Sequence, residues 1–159
     1  MGVTLDGYRF VTDAVTTDAD FDAQGHLNNT AIVGLFNDLR IAYARQCVGA
    51  RWIGYLISEQ LVIVVRELHV LYESEGLPGE SFMGATRHAR RQGKAAFVEQ
   101  RLVEAATARP VASAWVVQLL ARDGRVVDWP EWYWDLVGAV EGGPVPVVPG
   151  GPRAPWGPP

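Results

Sequence analysis

Cysteine is nearly absent from this chain of 159 residues: Cys47 stands alone. One cysteine cannot close an internal disulfide, so a disulfide-stapled secreted fold is excluded and a reducing compartment is expected. Long apolar runs are also missing. The longest, such as residues 61–65, fall far short of the ~20 residues that a membrane span needs. Residues 1–10 lack a basic stretch followed by an apolar one, so no signal peptide is expected. A cytoplasmic protein with no membrane partner is the expectation. Positive charge is in short supply, with 14 Lys and Arg against 18 Asp and Glu. That balance argues against non-specific nucleic-acid binding. The three histidines, His26, His69 and His88, show no metal-ligand spacing, so no metal site is expected.

What is present suits one globular domain. The hydrophobic fraction is 48%, and a domain of this length buries roughly 70% of the surface its unfolded chain exposes. From Gly142 the composition turns to proline and glycine, which cannot form regular structure. The expected organisation is a domain over residues 1–141 and a tail over residues 142–159.

Residues 8–15 read as a strand and residues 18–26 as a loop. Asn28 and Asn29 are N-cap candidates. After them Ile32, Leu35, Phe36, Leu39 and Tyr43 recur at helical spacing, while Asn37, Asp38, Arg40 and Arg45 fall off that stripe. A helix is expected over about 29–47, with Gly49 near its end. Strands are expected over 61–72, 81–91, 95–105 and 111–121, with turns at Pro78-Gly79, Gln92-Gly93 and Asp123-Gly124. A short helix over 129–140 carries Trp129, Trp132 and Trp134, read as structural cover. The order is not alternating βαβ. It predicts an α+β fold, an antiparallel sheet packed on one long central helix.

Asp18, Asp20 and Asp22 alternate as in a calcium loop, but Ala23 and Asn29 stand where such a loop needs Gly and Glu. Calcium is therefore excluded. Asp22 to Asn29 reads differently. A loop carboxylate precedes Gly25, whose missing side chain permits a tight turn. A helix then opens, and its first N–H groups lack intrahelical partners at the positive end of the dipole. Such a terminus stabilises negative charge on a carbonyl oxygen, and the carboxylate can serve as base or nucleophile. By spacing alone, ordinary helix capping explains the same residues.

The run Asp20-Phe21-Asp22-Ala23-Gln24-Gly25-His26-Leu27-Asn28-Asn29, with the helix to Leu39-Arg40, resembles the D-x-D-x-x-G-H-[VLI]-N-N turn of the 4-hydroxybenzoyl-CoA thioesterase-like hotdog family. Residues 64–72 look like that family's second strand, and Gly93-Lys94 sits where it turns between middle strands. The resemblance spans about 12–121, and its first motif is the specific one. It implies a hotdog fold, with the sheet wrapped around the helix. It implies hydrolysis of an acyl thioester of coenzyme A or of an acyl carrier, coenzyme A entering as part of the substrate with no separate cofactor. It also implies a homodimer or homotetramer with the site at a subunit interface. Carried over by position, Asp22 is the catalytic carboxylate and the Asn29 N–H polarises the carbonyl. His26 and Asn28 shape the turn or hold water, and Gly25 lies against the substrate. Ile32 stands where the family often has Tyr, and Ala95-Ala96 where it often has Ser or Thr. Those departures leave the acyl group open. Hydration or dehydration of an acyl thioester, and non-catalytic acyl-CoA binding, are the alternatives on the same fold.

Arg87, His88, Arg90, Arg91 and Lys94 form a basic run. Strand alternation puts Arg87 and Arg91 on one face, His88 and Arg90 on the other. The run reads as a solvated edge or as a clamp for coenzyme A phosphates by Arg87, Arg90, Arg91 and Lys94. Asp38, off the apolar stripe, is expected in solvent or in an ion pair. Gly79 to Gly84 misses the G-x-S-x-G spacing by one residue.

Overall fold

The computed structural model describes residues 5–149. The elements are β1 (Phe10–Ala14), α1 (Asn29–Tyr43), α2 (Ala50–Ser58), β2 (Val62–Tyr72), β3 (Phe82–Gln92), β4 (Ala95–Glu104), β5 (Pro110–Arg122), β6 (Arg125–Val127) and α3 (Glu131–Glu141). The strands form one antiparallel sheet in the order β1-β3-β4-β5-β2, with β6 paired to β5. The α+β layout expected from the sequence is present.

The apolar stripe of α1 makes the core. Ile32, Leu35, Phe36 and Leu39 pack on Phe82, Val98, Leu102 and Val116 of the sheet. Asp38 is exposed. Arg40, expected off the stripe, instead turns inward: its guanidinium donates to Gln100 Oε1 at 2.6 Å. Gln100 is fully buried, and its amide donates to Phe36 O at 2.9 Å and to Thr86 Oγ1 at 3.0 Å. A buried amide with every group satisfied costs little, whereas one left unpaired would be expensive.

The helix expected over 29–47 departs from its α form early. α1 ends at Tyr43, and residues 44–48 form one wide turn in which Gly49 N–H donates to Ala44 O at 2.9 Å. Gly49, at φ 96°, starts α2, an element the sequence reading did not place. Trp52 of α2 is fully buried in a second core, 4.3 Å by ring centroids from Tyr133 and 5.7 Å from Trp129. Trp129 also donates its indole N–H to Lys94 O at 3.0 Å. Trp129 and Trp134 are buried, and Trp132 packs against the same cluster. The aromatic run thus acts as the cover expected of it.

Asp123 and Gly124, both at positive φ, close a two-residue turn into β6, which was also not expected. Residues 142–149 lie along the end of β3: Arg91 N–H donates to Pro146 O and Val148 N–H to Arg91 O, each at 2.9 Å. Val145 beneath them is buried. The rest of the expected tail, 150–159, lies outside the described residues.

Candidate active site

The motif forms a closed turn. Asp22 N–H donates to His26 O at 2.8 Å, and Gly25 N–H to Asp22 O at 3.0 Å. Gly25 sits at φ 79°, where a side chain would be strained. The Asp22 carboxylate accepts the N–H groups of His26 at 3.0 Å and Gln24 at 2.9 Å through one oxygen, Oδ1. Those donors, His26 first and Gln24 after it, hold its carboxyl below the usual range, against a smaller opposing effect of burial. At neutral pH the group is an anion on a partly exposed turn. Asp20 has a structural task that the sequence did not reveal: its carboxylate accepts Thr17 N–H at 2.7 Å, and its carbonyl accepts Asn28 N–H at 2.8 Å.

Asn28 is the N-cap of α1, and its side chain accepts Thr30 N–H at 2.9 Å and the Thr30 hydroxyl at 2.6 Å. Asn29 is the first helical residue, so helix geometry offers its N–H no acceptor. The cap therefore satisfies Thr30 and leaves the Asn29 N–H available at the positive end of α1. Asp22, the Gly25 turn and the start of α1 lie within one short run, which the Asn28 N–H bond to Asp20 O closes at 2.8 Å. The His26 ring reaches Glu75, with Nε2 3.5 Å from Glu75 Oε2. Glu75 and Gly76, whose carbonyl accepts Leu27 N–H at 2.8 Å, were not found by sequence reasoning. They lie some fifty residues downstream, and no local pattern links them to the motif.

The basic run is not brought to this turn. Phe82, at the start of β3, lies beside Gly76 and Leu27, next to the motif. Arg91 is nine residues further along, about 30 Å at the rise of a strand. The expected alternation also fails, because a β-bulge falls between His88 and Arg90. Arg87 stands opposite Glu99 and Arg90 opposite Phe97, so these two arginines share the outer face. His88 and Arg91 turn instead toward α3. Arg87 donates to Glu99 at 2.8 Å through Nε, and its guanidinium covers the Tyr8 ring. Arg91 donates to Glu131 at 3.1 Å and lies over Trp134. Arg90 lies over Phe97, and Lys94 Nζ reaches Val126 O at 3.4 Å. A cleft of about 480 Å³ at this end includes Arg87 and Arg90, but also the carboxylates of Glu99 and Glu141. His88 is buried between Tyr43, Tyr133 and Trp134, with Nε2 2.9 Å from the Tyr133 hydroxyl. Burial pushes its pKa down to about 3, so it stays neutral.

An antiparallel sheet curled on one long helix, with a carboxylate turn feeding that helix's N-terminus, defines a hotdog-fold protein. A model of the thioesterase-like superfamily matches residues 16–136, and the chain belongs to that superfamily. A thioesterase from Thermus thermophilus, crystallised with coenzyme A and zinc, is similar with a TM-score of 0.75 at 22% identity, over 87% of this chain and 98% of that one. A Staphylococcus aureus protein in complex with CoA is similar at 0.72 and 15%, over 93% of this chain and 89% of that one. A 1,4-dihydroxy-2-naphthoyl-CoA thioesterase from Synechocystis is similar at 0.71 and 8%, over 80% of this chain and 94% of that one. No curated protein sequence matches the chain.

Proposed function

We propose that the protein hydrolyses an acyl thioester, of coenzyme A or of an acyl carrier, to the free acid and a thiol. The observation that supports this reading is an ionised Asp22 carboxylate on a Gly25 turn that runs directly into the N-terminus of α1 at Asn29. The substrate carbonyl oxygen would accept the Asn29 N–H, with Gly25 leaving room for the acyl carbon. Asp22 then attacks that carbon, or takes a proton from a water that does. The thiolate leaves with the C–S electron pair, and on the covalent route water then hydrolyses the Asp22–acyl anhydride to release the acid and restore the carboxylate. Loss of an oxyanion donor of this kind typically costs about 3–4 kcal/mol of transition-state stabilisation.

Membership of the thioesterase-like superfamily supports the same reaction. Arg87, Arg90, Arg91 and Lys94 play no part in this reading within one chain, since they lie at the other end of β3 and have partners there. A second copy of the chain enters it through β2. That strand is the open edge of the sheet over 11 residues, and Val62, Val64, Val65, Leu71 and Tyr72 on it are exposed. A long apolar edge is a template for strand pairing.

Thiol release from short, long and aromatic acyl-CoAs tests the reading. Wild type should turn over at least one class, and Asp22→Asn should lose about a hundredfold or more in kcat. No release from any acyl-CoA or acyl-pantetheine would overturn hydrolysis, and full activity of Asp22→Asn would overturn the role of Asp22. A single turnover in ¹⁸O water tests the covalent route, because water that opens the Asp22–acyl anhydride at the Asp22 carbonyl leaves label in that carboxylate, which general-base action never does. One observation favours a second reading, hydration of an unsaturated acyl thioester: His26 has an acid, Glu75, within 3.5 Å. Loss of enoyl-CoA absorbance without thiol release would mark that reaction.

A further inference from the structure

The last residue of β2 and the segment after it are clasped to the Asp22 turn and helix start at three points. Gly76 O accepts Leu27 N–H at 2.8 Å. The Tyr72 hydroxyl reaches Asn29 O at 3.5 Å. Glu75 Oε2 stands 3.5 Å from His26 Nε2. The segment is also pinned from behind. Arg109 donates through Nη1 to Ser74 Oγ at 2.6 Å and to Glu75 O at 2.5 Å. Through Nη2 it holds both oxygens of Glu80, at 2.7 and 2.8 Å, and Glu80 in turn accepts Leu77 N–H at 2.9 Å.

Glu75 therefore rides on a loop whose backbone is fixed on either side of it. Its carboxylate is 66% exposed and the His26 side chain 36% exposed. An ion pair that wet contributes little to stability. Its effect is instead on which imidazole nitrogen carries the proton. A carboxylate beside one ring nitrogen holds the proton there, and the other nitrogen is left with its lone pair.

We propose that Glu75 is a positioning residue for the chemistry at Asp22: its carboxylate, 3.5 Å from His26 Nε2, draws the ring proton to that nitrogen and leaves Nδ1 with the lone pair that takes a proton from water and passes it to the departing thiolate. This rests on the thioester-hydrolase reading. His26 itself is tied to Asp22 through its backbone N–H, so the tautomer is set on the same residue that holds the carboxylate.

The test uses the full chain with Glu75→Ala and Glu75→Gln. Nitrogen NMR of the His26 ring should show the Nε2–H tautomer dominating in wild type and in Glu75→Gln, whose amide oxygen still accepts, and a mixture in Glu75→Ala. In hydrolysis, kcat should fall about tenfold in Glu75→Ala with KM within about twofold, and Glu75→Gln should recover most of it. Protection of the Leu27 amide from exchange should be the same in all three. The proposal is overturned by a wild-type tautomer mixture matching Glu75→Ala, by unchanged kcat in Glu75→Ala, or by Glu75→Gln as impaired as Glu75→Ala. Loss of Leu27 protection in Glu75→Ala would also overturn it, since the role would then be structural. The NMR comparison needs no turnover, so an inactive wild type would sink the hydrolase reading separately.

Discussion

Leu39 of α1 sits directly on the bare backbone of Gly84 in β3. A Cβ at position 84 would come within 2.3 Å of Leu39 Cδ1 and 2.6 Å of Cδ2. This close approach sets how deeply α1 beds on the sheet, and so where its N-terminus stands. Gly84→Ala should cost roughly 1–3 kcal/mol through overpacking, read as a lowered midpoint in urea. An unchanged midpoint would mean that Leu39 escapes to another rotamer at no cost.

Asp22 gives a pH prediction. Its folded carboxyl lies below the usual value of 3.8, chiefly through the His26 N–H. The stabilisation from those bonds is complete above the unfolded value and is lost as pH falls through the lower folded value. The acid limb of kcat/KM due to this group should therefore fall below pH 3.8. A limb centred at pH 5 or above that vanishes in Asp22→Asn would contradict it.

His88 acts on stability from the other direction of charge. Buried and neutral, it has a folded pKa of about 3 against 6.5 in the unfolded chain. The unfolded state binds the extra proton between those values, so stability falls as pH drops below 6.5 toward 3. From pH 7 to pH 5 the loss should be roughly 2 kcal/mol. His88→Gln should shrink that pH dependence by about the same amount, measured by denaturant unfolding at both values. An equally steep dependence in the variant would refute the assignment.

Arg109 anchors the loop that carries Glu75 and Gly76. Arg109→Met would leave Glu80, about three-quarters buried, without its guanidinium partner. A cost of roughly 1.5–3 kcal/mol is expected, with faster hydrogen exchange at the Leu27 amide and reduced turnover. Normal Leu27 exchange in this variant would show that the loop holds without its anchor.

The open edge of β2 predicts behaviour in solution. Val64→Lys with Leu71→Lys places two charges among exposed apolar residues of that strand. The wild type should sediment as a dimer or larger, and the double variant should shift toward monomer with loss of turnover. A monomeric wild type with full activity would remove the second copy from the proposal.

The sequence made the fold legible wherever a local period carried it. Ile32, Leu35, Phe36, Leu39 and Tyr43 mark one helical face, and all five are buried. The strands lie within a residue or two of their expected bounds, because turns punctuate them at Pro78-Gly79 and at Gly93-Lys94, the latter one residue beyond the expected Gln92-Gly93. The period failed where the backbone leaves a regular form. Residues 44–48 continue the helix to Val48, as expected to about 47, but they wind it more widely than an α-helix, and Gly49 then redirects the chain into α2. Similarly, one extra residue between His88 and Arg90 reassigns every later side chain of β3 to the opposite face, and no residue type announces it.

The Asp22 turn and the helix start that follows it were written locally. Asp22, Gly25, Asn28 and Asn29 are close in sequence, so the turn and cap that join them follow from their own backbone preferences. The sequence by itself thus determined the central helix, the strands and the turn bearing Asp22. Only the tertiary structure decided what surrounds that turn. Glu75 and Gly76 reach it because β2 runs back along β5 to the helix N-terminus, and Arg109 then locks the loop in place. The same register carries Arg87 and Arg91 away toward Glu99 and Glu131. Such contacts depend on pairing between distant segments, and hydrophobic periodicity, which reads only neighbours, holds no record of them.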